Sequence, residues 1–259
     1  MLANKRLTEA EVTTYRNEGF LVPKFRLENE VLEKLQCATK QLVSDFPDVQ
    51  GGIRRPHLPR NNHSPGNNDH RTWLDIATTP ALLDALEQLM GSDFILWTST
   101  LFNKWPLDAG TPWHRDGNRY PLKPLATTTV WIAAFDVKVE SACLRFIPRS
   151  NLSPREELSQ DNIELDGRLY LSNEQESTAV DVELRAGEMV FFDVSTVHGS
   201  WPNLSEEPRA GYAIRYFPAT SCFDRGANPV GQNRSLILVR GTDRASNGVT
   251  KLEEARILL

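Results

Sequence analysis

No apolar run in these 259 residues approaches the length needed to span a bilayer, and the first six residues lack the apolar core of a secretory signal. Those absences predict a soluble, cytoplasmic protein with no membrane partner. Cysteine is scarce. Cys37, Cys143 and Cys222 are odd in number and widely spaced, which argues against a disulfide frame or a thiolate zinc cluster and predicts reduced, buried thiols. Blocks of one charge are also missing: 29 Lys and Arg intersperse with 34 Asp and Glu, for a net charge of −5. Without a basic stripe there is no electrostatic footprint for nucleic acid. Nothing in the chain signals an obligate protein partner.

What is present suffices for one sizeable core, since 40% of the residues are hydrophobic. Residues 8–11 form a capping box for a short helix that Gly19 ends, and Phe20 to Pro23 read as a brief strand. A second helix carries Val31, Leu32, Leu35, Ala38, Leu42 and Val43 at helical spacing, and a third has Thr79 as its cap, Pro80 in its first turn and Gly91 past its end. From Phe94 the texture changes to short β-rich runs at 94–103, 127–134, 144–147, 179–184, 189–194 and 211–217, with a last one at 236–239. Helices followed by short strands with Gly, Pro, Asn and Asp between them predict a mainly β protein with flanking helices, a jelly roll closed into a cupin-like double-stranded β-helix. One domain over 1–259 is expected: a helical buttress to about 92, the jelly roll from about 93 to 218, and a C-terminal extension thereafter.

The stretch Trp113-His114-Arg115-Asp116-Gly117 is answered by Val197-His198-Gly199-Ser200. Two imidazoles and a carboxylate form the facial triad of non-heme Fe(II) oxygenases, which leaves half of an octahedron open. On an extended strand residues i and i+2 share a face, so His114 and Asp116 reach one ion while Arg115 points away. His-x-Asp is common by itself; its context narrows the reading. Arg209 follows His198 by eleven residues, and Pro202, Asn203 and Pro208 punctuate the interval as a turn. A hairpin of that length would bring a guanidinium near the metal, where it can clamp a carboxylate through two charge-assisted bonds.

At this point the chain resembles the phytanoyl-CoA dioxygenase family of Fe(II)- and 2-oxoglutarate-dependent oxygenases. The likeness runs from Leu101-Phe102-Asn103-Lys104-Trp105-Pro106 through the His114 motif, Trp131 and Ala142 to Ser150, then to His198-Gly199-Ser200 and Arg209. It implies Fe(II) on His114, Asp116 and His198. It also implies 2-oxoglutarate held by Arg209 and Ser200, with Trp131 and Thr100 lining its pocket, and O2 as oxidant. Succinate and CO2 would be the co-products. Related halogenases have a small residue in place of the ligand carboxylate, so Asp116 favours hydroxylation. The chain departs from the family at Arg115, where Gln is usual, and at Pro148-Arg149-Ser150-Asn151, where Pro-Gly-Ser-His is usual.

Those departures add cations. Arg115, Arg119 and Lys123 flank the metal motif, Arg145 and Arg149 flank the middle strand, and Arg54, Arg55 and Arg60 lie in a long loop at 47–71 that reads as a lid or as a solvated loop. Arg115, Arg149, Arg145, Arg60 and Arg55 are therefore candidate contacts to a small anionic or zwitterionic substrate, such as an amino acid, an aminophosphonate or an ectoine-like solute. Surface ion pairs with Asp108, Asp136 or the acidic stretch 150–177 account for the same residues equally simply. The spacing of His57, His63 and His70 fits no standard metal pattern. Two further readings stay open: the same cofactor chemistry on a secondary metabolite or acyl-CoA, including desaturation or ring formation, and a non-catalytic β-barrel binding module.

Overall fold

The computed structural model describes residues 6–46, 53–54, 56, 70–117, 120–153, 168–227 and 234–258. The chain opens with α1 (Glu9–Glu18), β1 (Phe20–Leu21), α2 (Asn29–Asp45), β2 (Ile53–Arg54), α3 (His70–Ala77) and α4 (Pro80–Met90). Then come β3 (Phe94–Lys104), β4 (Thr111–His114), β5 (Leu122–Lys123), β6 (Thr128–Ala133), β7 (Leu144–Phe146), the short helix α5 (Asn173–Ser177), β8 (Val180–Val182), β9 (Met189–Asp193) and β10 (His198–Ser200). The rest is β11 (Arg209–Pro218), β12 (Cys222–Phe223), β13 (Ile237–Arg240), β14 (Thr250–Lys251) and α6 (Leu252–Leu258).

Two sheets face each other. The larger runs β1-β9-β6-β11-β3-β13-β14 with β2 added beside β3, and the smaller runs β4-β10-β7-β8. All pairings in these sheets are antiparallel except that of β13 with β14. This is a mainly β, jelly-roll architecture with helices packed outside it, as the pattern of short strands predicts. Among the described residues no helix is long and apolar enough to cross a membrane.

The two-residue period of β11 divides its side chains between two environments. Ala210, Tyr212, Ile214 and Tyr216 enter the largest apolar cluster, where they meet Leu35 and Leu42 of α2, Trp73, Leu74 and Ile76 of α3, and Leu82 and Leu86 of α4. Leu35, Leu42, Leu74 and Leu86 are wholly buried, each contributing roughly 1.5–3 kcal/mol. The Tyr212 hydroxyl reaches the Trp73 carbonyl, and that of Tyr216 donates to Ala77, so α3 is pinned by polar as well as apolar contacts. The alternate residues of β11 face the space between the sheets.

Several local expectations hold. Thr8 and Glu11 complete a reciprocal capping box on α1, and Gly19 closes that helix with φ 83°, a conformation that favours glycine. Others change. Thr79 sits at the start of α4 but makes no side-chain cap bond there. Helix α3, which the loop reading passed over, buries Trp73, Leu74, Ile76 and Ala77. Of the three thiols only Cys143 is buried, while Cys37 and Cys222 are exposed. Most of the 47–71 segment lies outside the described residues, with Arg55 and Arg60.

Gly211 marks a close approach. A Cβ added there would stand 1.7 Å from Cζ2 of Trp131, whose indole occupies that space. We therefore expect Gly211→Ala to cost about 1–3 kcal/mol by overpacking. Urea unfolding monitored by tryptophan fluorescence checks this, and an unchanged midpoint would show that Trp131 moves aside freely.

Candidate metal centre

His114 ends β4 and His198 opens β10, and the two are direct cross-strand partners in the smaller sheet. Their ring centroids lie 4.2 Å apart. Asp116 does not sit on the strand as the i, i+2 argument supposed. It lies in the turn just beyond, ahead of Gly117 with φ 89°, and the turn swings its carboxylate back to 3.9 Å from His114 Nε2. Ligand atoms of His114, Asp116 and His198 all fall within 4.8 Å of one another.

Backbone carbonyls select the imidazole tautomers. His114 Nδ1 lies 2.9 Å from the Pro112 carbonyl and His198 Nδ1 lies 3.0 Å from that of Thr196. A carbonyl only accepts, so each Nδ1 carries the hydrogen and each Nε2 presents a lone pair, the arrangement used by metal-binding histidines. Burial, reinforced by His114, pushes His198 down to about 4, which keeps it neutral around pH 7. For Asp116, burial alone would raise the carboxyl. Arg215 above all, then the two imidazoles and Tyr120, outweigh it and hold the group well below the usual carboxylate range. Two imidazole nitrogens and an ionised oxygen suit a divalent first-row ion such as Fe(II).

Supports for these ligands come from distant parts of the chain. Arg215 Nε bonds Asp116 Oδ2 at 3.3 Å, leaving Oδ1 on the His114 side. Thr196 Oγ1 donates to the carbonyl of Gly19 at 2.8 Å, tying the approach to His198 to the end of α1. Ser150 joins both ligand segments: its Oγ accepts the Val197 N–H at 2.8 Å and its carbonyl accepts from Arg115 at 2.6 Å.

A cavity of about 230 Å³ opens beside the three ligands, lined also by Phe102, Lys104, Trp131, Leu144, Phe192, Arg209 and Arg215. The link from His198 to Arg209 is not a hairpin. β10 and β11 belong to different sheets, and the chain crosses the gap so that Arg209 enters the cavity from the wall opposite His198. Arg209 is buried, donates to the Ala142 carbonyl through Nε at 3.1 Å and through NH2 at 2.7 Å, and has its guanidinium carbon 5.2 Å from the Trp131 ring centroid. No described carboxylate pairs with it. Neither Ser200 nor Thr100 is among the cavity-lining residues: Ser200 is buried behind the lining, bonded to Lys104, and Thr100 is buried opposite Ala213 on β3.

The structure places the other arginines elsewhere. Arg115 is buried against Ser150, with no side-chain face toward the cavity, because it straps the two ligand segments together. Arg145 stacks on Trp201 at 3.6 Å and Trp113 at 5.0 Å and pairs with Asp181 and Glu176. Arg149 is exposed and takes φ 65°, the left-handed conformation that a glycine adopts without penalty, which gives the departure from Pro-Gly-Ser-His a backbone rather than a substrate meaning. Lys104, Arg215 and Tyr120 were not singled out from the sequence. Their signal is positional, since Lys104 and Arg215 alternate in phase with residues lining the cavity.

A family model described as Phytanoyl-CoA dioxygenase (PhyH) matches residues 15–211. The chain belongs to that family. It is 29% identical over 109 residues to the "Phytanoyl-CoA dioxygenase domain-containing protein 1 homolog" of Dictyostelium discoideum, a match covering 40% of this chain and 39% of that protein. It is 26% identical over 141 residues to "Dioxygenase lolE1" of Epichloe uncinata, covering 54% of this chain and 53% of the relative. The matches thus span about half or less of each curated relative. Among solved structures, the fold is similar to that of the epimerase SnoN in complex with Fe3+, alpha ketoglutarate and nogalamycin RO. TM-score is 0.68 at 24% identity, with 83% of this chain and 85% of that chain covered.

We expect Arg215→Gln to weaken Co(II) or Fe(II) binding about 10- to 100-fold, as loss of a partner behind a metal ligand does elsewhere. Anaerobic metal titration, with circular dichroism as the control for folding, is the check. Unchanged affinity in a folded variant would mean that Asp116 is oriented by other contacts. Arg149→Gly should fold with stability equal to or up to about 1 kcal/mol above the parent, because the left-handed strain is relieved; a clear loss in urea unfolding would contradict that.

Proposed function

We propose that the protein is an Fe(II)- and 2-oxoglutarate-dependent dioxygenase that hydroxylates an unactivated C–H of a small anionic or zwitterionic metabolite. Amino acids, aminophosphonates such as 2-aminoethylphosphonate, and ectoine-like solutes are the candidate substrates. The observation that carries the reading is the convergence of His114, Asp116 and His198 on one wall of a cavity whose opposite wall carries an arginine without a carboxylate partner among the described residues.

When bound, the metal supplies O2 activation coupled to oxidative decarboxylation of 2-oxoglutarate, giving succinate and CO2. The chain's own task is positioning. His114 and His198 offer Nε2 because their Nδ1 hydrogens are committed to the Pro112 and Thr196 carbonyls. Asp116 offers one oxygen because Arg215 occupies the other. Arg209 and Ser200 take the far carboxylate of the cosubstrate, with Trp131 under the guanidinium and Thr100 on the adjoining strand. Phe102, Leu144, Phe192 and Ala213 exclude water from the space between.

Among the described lining residues Lys104, Arg209 and Arg215 outnumber Asp116, so the cavity as a whole carries an excess of positive charge compatible with acidic ligands, although Arg215 is committed to Asp116 and Arg209 to the cosubstrate. A second reading keeps the chemistry and changes the substrate to a secondary metabolite. It is favoured by the aromatic and aliphatic part of the wall and by the removal of Arg115, Arg145 and Arg149 from the cavity.

Succinate release measured over a panel of amino acids, aminophosphonates, compatible solutes, acyl-CoA esters and polycyclic metabolites, with mass spectrometry of products, separates the two readings. Arg209→Ala should raise the KM for 2-oxoglutarate by about 30-fold or more, from loss of a buried charge-assisted pair. Asp116→Ala should abolish turnover. Metal-loaded protein that gives neither succinate with any of these compounds nor a charge-transfer band with 2-oxoglutarate would instead be a binding module.

A further inference from the structure

Lys104 lies directly opposite Arg209 in the β3–β11 register, and both side chains line the cavity. Like charges set directly across a sheet repel one another, and this pair stands on an inward face where solvent screens poorly. No described carboxylate forms an ion pair with either member. Lys104 Nζ instead donates to the Ala109 carbonyl at 2.7 Å, to Ser200 Oγ at 2.9 Å and, at 3.4 Å, to the Trp201 carbonyl.

The bond to Ser200 has a consequence for its hydroxyl. Ser200 Oγ also accepts the Thr111 N–H at 3.3 Å. A serine oxygen has two lone pairs and one hydrogen. With both lone pairs engaged, Ser200 can only donate to an additional partner. Two cations lining one end of the cavity, with a hydroxyl directly behind Lys104 that is left only a hydrogen to offer, match an anionic group with several acceptor positions.

Resting on the dioxygenase reading above, we propose that Lys104 is a positioning residue for the cosubstrate. It fixes Ser200 as a hydrogen donor and, with Arg209, makes this end of the cavity selective for a ligand bearing a distal carboxylate. The charged groups acting on Lys104 are Arg209 across the strand pair and Asp108 in the turn after β3. Burial, with Arg209 adding to it, brings the ammonium down to about 8, so its charge is present near neutrality and is lost at mildly alkaline pH. An anion bound beside it restores that charge, so binding is strongest below about pH 8 and weakens above it.

The test measures equilibrium binding of N-oxalylglycine, which has a distal carboxylate, and of pyruvate, which lacks one, to the Fe(II)-loaded protein without oxygen. Lys104→Met should weaken N-oxalylglycine about tenfold or more, leave pyruvate within about twofold, and abolish the alkaline loss of affinity seen in the parent. Lys104→Arg should recover most of the affinity with a flat profile, because guanidinium does not titrate there. Equal loss of both ligands in Lys104→Met, or no loss of either, overturns the proposal. If that variant does not fold, the parent's own profile decides, and constant N-oxalylglycine affinity between about pH 7 and about pH 9.5 overturns it. Parent protein that binds Fe(II) but neither ligand refutes the 2-oxoglutarate reading itself, a distinct result.

Discussion

The alternation of side chains along β11 is the constraint on which the rest of the molecule depends. One set of residues, Ala210 to Tyr216 at every second position, is clamped by α2, α3 and α4, and the other set, Arg209, Ala213 and Arg215, faces the cavity. A strand held this firmly on one side cannot slip in register, because a shift of one residue would exchange the two faces. The helices therefore locate both arginines relative to the smaller sheet, where His114 and His198 stand side by side.

Within that frame the ligands are set by polar contacts that each satisfy a specific donor. Two carbonyls decide which nitrogen of each imidazole is free, and one guanidinium decides which oxygen of Asp116 is free. Ser150 ties the segment before His198 to the segment after His114, so the two halves of the triad share a mechanical link though they are more than eighty residues apart in sequence. The apolar remainder of the wall raises the strength of every charge inside it.

Much of this was legible from the chain alone. The capping box of α1, the stripe on α2, the strands from Phe94 onward and the grouping of His114, Asp116 and His198 follow from local chemistry, although a turn and not strand spacing brings Asp116 to the histidines. What was not legible depends on which strands become neighbours. The interval from His198 to Arg209 has the length of a hairpin, but it spans two sheets, a choice made by the packing of β11 between β3 and β6. Arg115 and Arg145 looked like ligand-seeking cations because sequence shows charge and not direction; one strains inward to a carbonyl and the other lies between two indoles. Arg215 carried no motif, Lys104 lay in the 101–106 stretch without a role attached to it, and only the strand register brings both to the site.

The bond between Thr196 and the carbonyl of Gly19 gives the first helix a significance beyond packing. Gly19 turns the chain out of α1 and leads directly into β1, which borders β9, so the same short corner anchors the strand entering the distal histidine from two sides. The amino-terminal helix is thus scaffold for the candidate metal centre and not a detachable ornament. Trimming the protein past that corner would unmoor the approach to His198, whose Thr196 lies 177 residues away in sequence, which limits how far this fold can be shortened with His114, Asp116 and His198 still held together.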